Sequence, residues 1–363
     1  MRKLASIRKI AEIKPIKDAD AIEAVRVDGW WLVSKKNEFK VNDLCVYFEV
    51  DSFLPVRPEF EFLHKSSFKS TQHLGDGFRL KTVKLRGQLS QGLALPLSVF
   101  SEFYYDYNGY FYSTFDSTSS ISTDINLPVL ETQDVTELFG VKKWEMPIPA
   151  QLAGQIKGSF PSFIRKTDQE RIQNCYHQYK EQHYYTTFET SLKLDGSSMT
   201  VYWNNGEFGV CSRNLELKES DGNTYWKVAR DTNLEKILSS YNRNIALQGE
   251  LMGPGIQGNR ESLSQHTMYL YDIWDIDAQK YLGQYDRMKV YLDMLNMGDD
   301  NFIKHVPVYK PEQIFQYKLE EILSLADRKS LNHNIAEGLV FKSMDGTFFF
   351  KAINNKFLLN EKD

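Results

Sequence analysis

Residues 189–195 alternate between polar and apolar side chains, and a glycine follows them. Because successive side chains of a strand point to opposite faces, this alternation puts Leu192 and Leu194 on one face and Lys193 and Asp195 on the other. The glycine then permits a sharp turn at the end of the strand. The pattern predicts a strand that presents a lysine beside a carboxylate at its tip, which suits a nucleophilic amine. An ordinary Lys–Asp pair on the protein surface is the alternative interpretation.

The chain has 363 residues, enough for two or three domains, and 42% hydrophobic and 25% charged residues are typical of a soluble protein. With a net charge of −4, any nucleic-acid binding must depend on local basic surface. Three widely spaced cysteines argue against a disulfide framework or a zinc site. We find neither a signal peptide nor an apolar run long enough to cross a bilayer, so we expect an intracellular protein without a membrane partner.

The first hundred residues consist of short apolar runs separated by turn signals, without helical periodicity. The clearest strand covers residues 43–51, where Leu44, Val46 and Phe48 share one face. Several short strands of this kind predict a small, OB-like β-barrel, a fold that often binds single strands or ends of nucleic acid.

A basic stretch runs from Arg79 to Arg86 and contains no acidic residue. We interpret Lys81, Lys84 and Arg86 as the side chains of one strand that contacts nucleic-acid phosphates. The alternative is a solvated basic face with no ligand.

The remainder of the chain changes in character twice. Residues 101–126 are rich in Tyr, Ser and Asp and are interpreted as a surface insertion of the barrel module, which we place at residues 1–126. Residues 127–166 carry several prolines and glycines and are interpreted as a connector. Residues 167–363 combine longer strands with helices and predict an α+β domain with a mainly antiparallel sheet. The candidate helices are a segment opened by a capping-box pattern at 167–170, then 222–240, 284–296 and 311–325.

Six short motifs follow one another in this domain. They are Lys193-Leu-Asp-Gly196 (motif I), Ser212-Arg213-Asn214, Gly249-Glu250-Leu-Met-Gly-Pro-Gly-Ile-Gln-Gly258 (motif III), Tyr269-Leu-Tyr271-Asp-Ile273 (motif IIIa), Glu337-Gly-Leu-Val-Phe-Lys342 (motif IV) and Phe350-Lys351-Ala-Ile-Asn-Asn-Lys356 (motif V). One such motif is a weak signal, but the ordered set resembles the covalent nucleotidyltransferases, which include polynucleotide ligases and mRNA capping enzymes. The first hundred residues resemble the N-terminal OB module of one family of RNA ligases. The resemblance implies an ATP-dependent RNA ligase that seals 5′-phosphate and 3′-OH RNA ends through lysyl-AMP and AppRNA intermediates, in RNA repair.

The resemblance makes Lys193 the nucleophile that takes AMP. A free lysine has a pKa of about 10.4, so neutralising it at pH 7 costs about 4.6 kcal/mol. Carboxylates nearby stabilise the charged ammonium and increase this cost. A divalent cation among Asp195, Glu250 and Glu337 would reverse the local field. The site therefore implies Mg²⁺ or Mn²⁺, which these carboxylates would hold through water.

The same resemblance implies contacts to ATP for five further side chains. Lys342 and Lys351 would neutralise the α-phosphate, and Lys351 also counts among the catalytic residues. Arg213 would contact the ribose or the RNA end, Arg171 the triphosphate, and Tyr271 would stack on adenine. Solvated lysines and a core tyrosine are the plain alternatives.

Two features depart from the family pattern or stay open. Motif V often has a second lysine two residues after the first, where this chain has Ile353. Glu337 and Lys342 have opposite parity on an ideal strand, so either Glu337 precedes the strand or a bulge intervenes. The chain stops soon after motif V, and we expect no C-terminal OB domain and no motif VI.

Other functions are weighed against RNA ligation. An mRNA capping guanylyltransferase shares motif I, but its expected C-terminal OB domain and its form of motif III differ. A DNA ligase of the same superfamily is a second alternative, and a non-catalytic RNA-binding protein with a decayed site is a third. We expect a monomer that acts on RNA with ATP.

Overall fold

The computed structural model describes two compact units, Met1–Pro147 and Ile148–Asp363. Most of the expected insertion, residues 106–110 and 114–126, lies outside the described residues. The prediction of a connector at 127–166 is wrong for most of its length, because Lys142–Lys143 pairs with a strand of the first unit and Ile156–Ser159 pairs with a strand of the second. No helix in the described part of the chain is long and apolar enough to cross a membrane. The described residues are 3–105, 111–113, 127–145, 154–298, 303–314 and 316–360.

The first unit is built mainly of short antiparallel strands, as predicted. One sheet has the strand order β10-β4-β1-β2-β3, a second has β14-β5-β7-β6, a third has β11-β12-β13, and β8 and β9 form a hairpin. Single-turn helical segments cover Pro58–Leu63, His64–Ser67 (α1) and Leu97–Val99. The strands are β1 Ala5–Pro15, β2 Ile22–Val27, β3 Trp30–Lys35, β4 Leu44–Phe48, β5 Ser52–Pro55, β6 Phe68–Thr71, β7 Gly75–Arg79, β8 Val83–Leu85, β9 Gln88–Ser90, β10 Leu93–Pro96, β11 Phe103–Tyr105, β12 Phe111–Ser113, β13 Leu127–Pro128 and β14 Lys142–Lys143.

The basic stretch of this unit is not one continuous strand. Arg79 ends β7, and its guanidinium lies 4.9 Å from the ring centroid of Trp144 in a buried position. The chain then forms the β8–β9 hairpin, on which Lys84 and Arg86 are exposed, while Lys81 is half-buried before it. The prediction of a single basic strand is therefore wrong, because β7 ends at Arg79 and β8 begins only at Val83. Arg79 itself is buried against the Trp144 ring.

The second unit has two sheets. One has the order β15-β20-β19-β18-β21-β22-β23, with β24 also paired to β22, and the other has β16-β27-β26-β17-β25. The strands are β15 Ile156–Ser159, β16 Glu170–Arg171, β17 Thr187–Lys193, β18 Ser197–Asn204, β19 Glu207–Cys211, β20 Leu215–Leu217, β21 Ile245–Met252, β22 Thr267–Asp275, β23 Lys280–Tyr281, β24 Lys304–His305, β25 Val308–Ile314, β26 Gly338–Ser343 and β27 Phe349–Ile353. The helices are α2 Ile172–Gln178, a π-turn Tyr179–His183, α3 Thr224–Asp231, α4 Leu234–Tyr241, a 3₁₀ turn Gln257–Asn259, α5 Gln284–Met297, α6 Leu319–Leu325 and α7 Asn355–Leu359.

The helix predictions fail in three places, each for a local reason. The expected helix at 311–325 begins only with α6, because Pro311 lies in β25, an edge strand that tolerates a residue without an N–H. The helix at 222–240 is split where Asn233 adopts a left-handed φ of 53°. The capping box at 167–170 does not form, because Glu170 and Arg171 pair with β27 as a strand.

Two ion pairs lie buried between these sheets. Arg287 of α5 pairs with Glu189 of β17, and both side chains are only 2% exposed. The Lys342 amine of β26 lies 2.6 Å from a carboxylate oxygen of Asp272 on β22. The Lys342–Asp272 pair joins the two sheets, since β26 belongs to one and β22 to the other, and the Arg287–Glu189 pair fixes α5 to β17.

The Arg287–Glu189 pair generates a stability prediction. In Arg287→Met the Glu189 carboxylate stays buried without its partner, and we expect a loss of about 3–5 kcal/mol in the free energy of unfolding. Urea denaturation measures this loss. Arg243→Met is the matched control, because Arg243 is 44% exposed beside Asp275 and its loss should cost less than about 1 kcal/mol. Equal losses in the two variants would contradict the prediction.

Candidate active site

Lys193 is the last residue of β17, and its amine meets a carboxylate from the neighbouring strand. Its Nζ lies 2.6 Å from Oε1 of Glu337. Lys193 is paired in register with Gly338, the first residue of β26, so Glu337 stands just before that strand. This resolves the parity question, because Glu337 is outside the strand and no bulge is needed.

The glycine after the strand brings a second carboxylate to the site. The backbone N–H of Gly196 donates to Oε1 of Glu250 at 3.0 Å. A Cβ at Gly196 would lie 2.5 Å from the carbonyl oxygen of Leu251, so any larger residue would force the β17–β18 turn away from β21. The turn chemistry that the sequence predicts is therefore also a contact that holds Glu250 beside Lys193.

The charges at this point are unbalanced. Burial opposes the charged form of Lys193, but attraction to Glu337, Glu250 and Asp195 outweighs it and raises the pKa of the amine. Burial, together with repulsion from Glu337, raises the pKa of Asp195 to about 6. Burial raises the pKa of Glu250 to about 7, although Lys193 lowers it in part. Without further positive charge, the lysine is protonated and two carboxyls are held at the edge of ionisation.

These carboxylates suit a cation held through water. Among the described residues, no three His, Cys, Asp or Glu side chains are close enough to ligate one metal ion directly. A hydrated cation needs only second-sphere contacts, and the raised pKa values of Asp195 and Glu250 indicate that positive charge would be favourable there.

Arg260 is a site residue that the sequence patterns did not indicate. Its Nη1 lies 3.3 Å from Oδ2 of Asp195, and its guanidinium also lies 4.6 Å from the ring centroid of Phe357 on α7. The next residue, Glu261, accepts hydrogen bonds from the backbone N–H of Asn332 at 2.6 Å, just upstream of Glu337. The position of Arg260 after the glycine-rich run of motif III was the available signal in the sequence, but its partner Asp195 is 65 residues away along the chain.

Two cations lie in one cross-strand row of the sheet that ends at Lys193. Arg171 on β16 is paired with Lys351 on β27, and Lys351 is opposite Val340, which is opposite Ser191. Residues directly opposite in a sheet share a face, and Ser191 shares its face with Lys193 two positions on. The structure therefore brings Arg171 and Lys351 to the face of the nucleophile.

Arg213 is linked to Lys351 through Asp168, a residue that belongs to none of the six motifs. Asp168 lies with Oδ1 3.7 Å from Nη2 of Arg213 and 4.0 Å from Nζ of Lys351. Both Arg213 and Asp168 are more than half exposed, so this carboxylate is accessible to exchange with a ligand. The arrangement gathers three cations at one edge, which suits a polyphosphate.

Lys342 lies at a buried position on β26. Its side chain is 4% exposed, and its amine donates to Asp272 and to the carbonyl oxygen of Tyr271. Burial lowers its pKa, although Asp272 acts in the opposite direction. Lys342 is in register with Glu189, four residues before Lys193 and on the same face of β17, where its amine contacts Asp272. Its contact with the α-phosphate stays a prediction.

Tyr271 lies beside the apolar floor of the site. Its hydroxyl is 3.1 Å from Oγ1 of Thr167, and its half-buried ring packs against a cluster that includes Leu192 and Leu194. The ring is thus held near the base of Lys193, and its contact with adenine stays a prediction.

The comparisons with known proteins agree with this geometry. An OB-fold domain model matches residues 4–97, and an RNA ligase model matches residues 186–353. A search of curated proteins finds no match. Solved structures include a Naegleria gruberi RNA ligase mutant with AMP and Mn, at 43% identity, 99% coverage of both chains and a TM-score of 0.87. Another mutant of that ligase, with ATP and Mn, has 44% identity, 100% coverage of both chains and a TM-score of 0.86. The same ligase with PPi has 44% identity, covers 99% of this chain and 98% of its own, and has a TM-score of 0.85.

Two predictions are confirmed by these matches. The N-terminal barrel has the OB fold, and the second domain has the mixed helix and strand content of a ligase catalytic domain. The match covers essentially the whole chain, including the barrel and the region of Lys193, Glu250 and Glu337. The chain therefore belongs to the RNA ligase family.

Proposed function

We propose that this protein is an ATP-dependent RNA ligase that joins 5′-phosphate and 3′-OH RNA ends through a covalent Lys193–AMP intermediate. The observation that carries the proposal is the 2.6 Å contact between Lys193 Nζ and Glu337 at a strand tip where Glu250 and Asp195 also act on the amine. A relative in the same family has been solved with ATP and Mn, which supports the choice of nucleotide and cofactor.

The reaction has three steps. The Lys193 amine attacks the α-phosphorus of ATP, so that an N–P bond forms, the bond to pyrophosphate breaks and the amine loses a proton. The 5′-phosphate of the RNA then attacks the same phosphorus, breaks the N–P bond and becomes AppRNA. The adjoining 3′-OH finally attacks the 5′-phosphorus, AMP leaves and a phosphodiester remains.

The protein's own groups prepare the first step. Glu337 orients the amine by accepting its hydrogen bond, and the Gly196 N–H keeps Glu250 in place. Asp195, Glu250 and Glu337 would hold Mg²⁺ or Mn²⁺ through water. A divalent cation bound there supplies positive charge that lowers the pKa of the amine and offsets charge on the α-phosphate.

The remaining contacts to ATP come from three cationic side chains and one aromatic ring. Lys351 faces the α-phosphate, Arg171 the triphosphate, and Arg213 the ribose or the RNA end, because all three lie in or beside one row of the sheet. Tyr271 offers its ring to adenine. Lys342 is left out of this assignment, since Asp272 already takes its amine.

We propose that the first unit contacts RNA and that the second unit carries the chemistry. The division between the two compact units falls after Pro147, within residues 127–166. We propose RNA repair as the role, with the protein acting as a monomer.

The assignment of the nucleophile is tested with labelled nucleotides. Lys193→Ala should form no AMP adduct, because the substitution removes the amine that Glu337 holds at the strand tip. It should still seal a pre-adenylylated 5′ end, since the third step does not use the amine. Gel analysis with labelled ATP and GTP measures both points. An adduct on Lys193→Ala, or labelling of the wild type by GTP alone, would contradict the proposal.

The raised pKa values generate a pH prediction for the cation. Glu250 has a pKa of about 7 and Asp195 of about 6, so both take up protons as the pH falls from 8 to 6. Protons compete with the cation, and the ionised fraction of Glu250 falls on the order of tenfold over this range. We expect the Mn²⁺ concentration for half-maximal adduct formation to rise about tenfold. Metal titrations at each pH separate this shift from the lower maximal rate that follows from a more protonated amine. A half-maximal concentration independent of pH would refute it.

The basic residues of the barrel are tested in a triple variant. Lys81, Lys84 and Arg86 changed together to Ala should weaken RNA binding and reduce the slope of log affinity against log salt by about 0.7 for each lost phosphate contact. Sealing of nicked RNA should fall more than adduct formation. The control changes Lys35, Lys36 and Lys40, which are exposed in the same unit. Wild-type sealing by the first variant would show that the hairpin is only a solvated basic face.

A further inference from the structure

The sheet β10-β4-β1-β2-β3 of the first unit carries the aromatic ring of Trp31 on its outer face. Glu12 on β1 is in register with Arg26 on β2, and Arg26 is in register with Trp31 on β3. Directly opposite residues of neighbouring strands share a face, so these three side chains form one row. Trp31 is half-buried in this row.

The opposite face of the same strands is the core of the unit. Val25, Val27, Trp30 and Leu32 are fully buried there and belong to one apolar cluster. Because Trp31 has the opposite parity from Trp30 and Leu32, it points away from this core. Its ring therefore adds little to the packing that holds the barrel together.

Two cations lie over the half-buried ring of Trp31. Nζ of Lys14 is 4.6 Å from the Trp31 ring centroid, and Cζ of Arg26 is 5.8 Å from it. Glu12 contacts both cations, at 2.7 Å and 3.2 Å, so the group keeps one net positive charge. Lys14 is 57% exposed and can leave the ring at little cost. A base stacked on an aromatic ring is a stronger contact than a cation over an exposed ring, so a base can take this place.

The row adjoins the basic hairpin. The N–H of Gln91, the residue after β9, donates to the carbonyl oxygen of Trp31 at 2.9 Å. Lys84 is opposite Leu89 in the hairpin, two residues before Gln91. An aromatic ring and two groups of cations thus follow one another along the edge of the sheet.

We infer that Trp31 is a stacking platform for a base of single-stranded RNA, with Lys14 and Arg26 moving from the ring to the adjacent phosphates. The strand then continues along the hairpin past Lys84 and Arg86. The inference rests on the proposed function for the choice of RNA as ligand. It adds a contact that is insensitive to salt, since stacking on a ring releases no counterions, whereas phosphate contacts do.

The experiment uses the full chain and a fluorescein-labelled oligo(A) of about 12 nucleotides, with anisotropy measured over a range of NaCl concentrations. Trp31→Leu should weaken binding about tenfold at every salt concentration, which corresponds to ~1.4 kcal/mol, with an unchanged salt slope. Trp31→Phe should retain most of the affinity. Lys84→Ala/Arg86→Ala should instead reduce the slope.

Two controls make the outcome decisive. Phe62→Leu removes another exposed ring of the same unit, 61% exposed, and should bind as the wild type does. An oligonucleotide of the same length without bases should bind wild type and Trp31→Leu equally. An effect of Trp31→Leu below twofold, or an equal effect on the abasic strand, would overturn the inference. Labelling of the wild type with ATP is scored separately, so a failure of the ligase proposal is distinguishable from a failure at Trp31.

Discussion

The strands that carry the candidate site are held together by two buried ion pairs, Arg287–Glu189 and Lys342–Asp272. Removing four charges from water is costly, and their mutual attraction repays this only when every partner is present. Apolar side chains could fill the same space, but they would not specify which strand faces which. The Lys342–Asp272 pair joins the sheet that ends at Lys193 to the sheet of β22, and the Arg287–Glu189 pair fixes α5 to the first of these sheets.

Electrostatic imbalance at the tip of β17 follows from that arrangement. The fold places three carboxylates near Lys193, and their attraction raises the pKa of the amine, while burial and repulsion between the carboxylates raise the pKa of Asp195 and of Glu250. Such crowding opposes stability, as is common where a site is built for a charged ligand. A divalent cation would relieve the repulsion and favour the neutral amine in one event.

Lys342 and Lys351 show how tertiary context separates two similar residues. Each lies near an apolar segment close to the C-terminal end, and each matches a family motif. Lys342 meets Asp272 from the other sheet and becomes part of the buried framework. Lys351 is in register with Arg171 on β16, at the edge of its own sheet, and stays partly exposed. Their local sequences are similar, and the difference between their environments comes only with the tertiary structure.

Local pattern was sufficient for the elements whose causes are local. The alternation before Gly196 predicted β17 and the orientation of Lys193. The ordered motifs predicted the family, and they singled out Glu250, Glu337 and Lys351, which the fold brings to the region of Lys193. Contacts between distant segments required the tertiary structure. Pro311 was interpreted as a helix start and is an edge-strand residue, Arg79 is taken from the surface by Trp144, and Arg260 meets Asp195 only after the chain folds. Side-chain periodicity reports which face a residue occupies, but the partner on that face is supplied by strands far away in sequence.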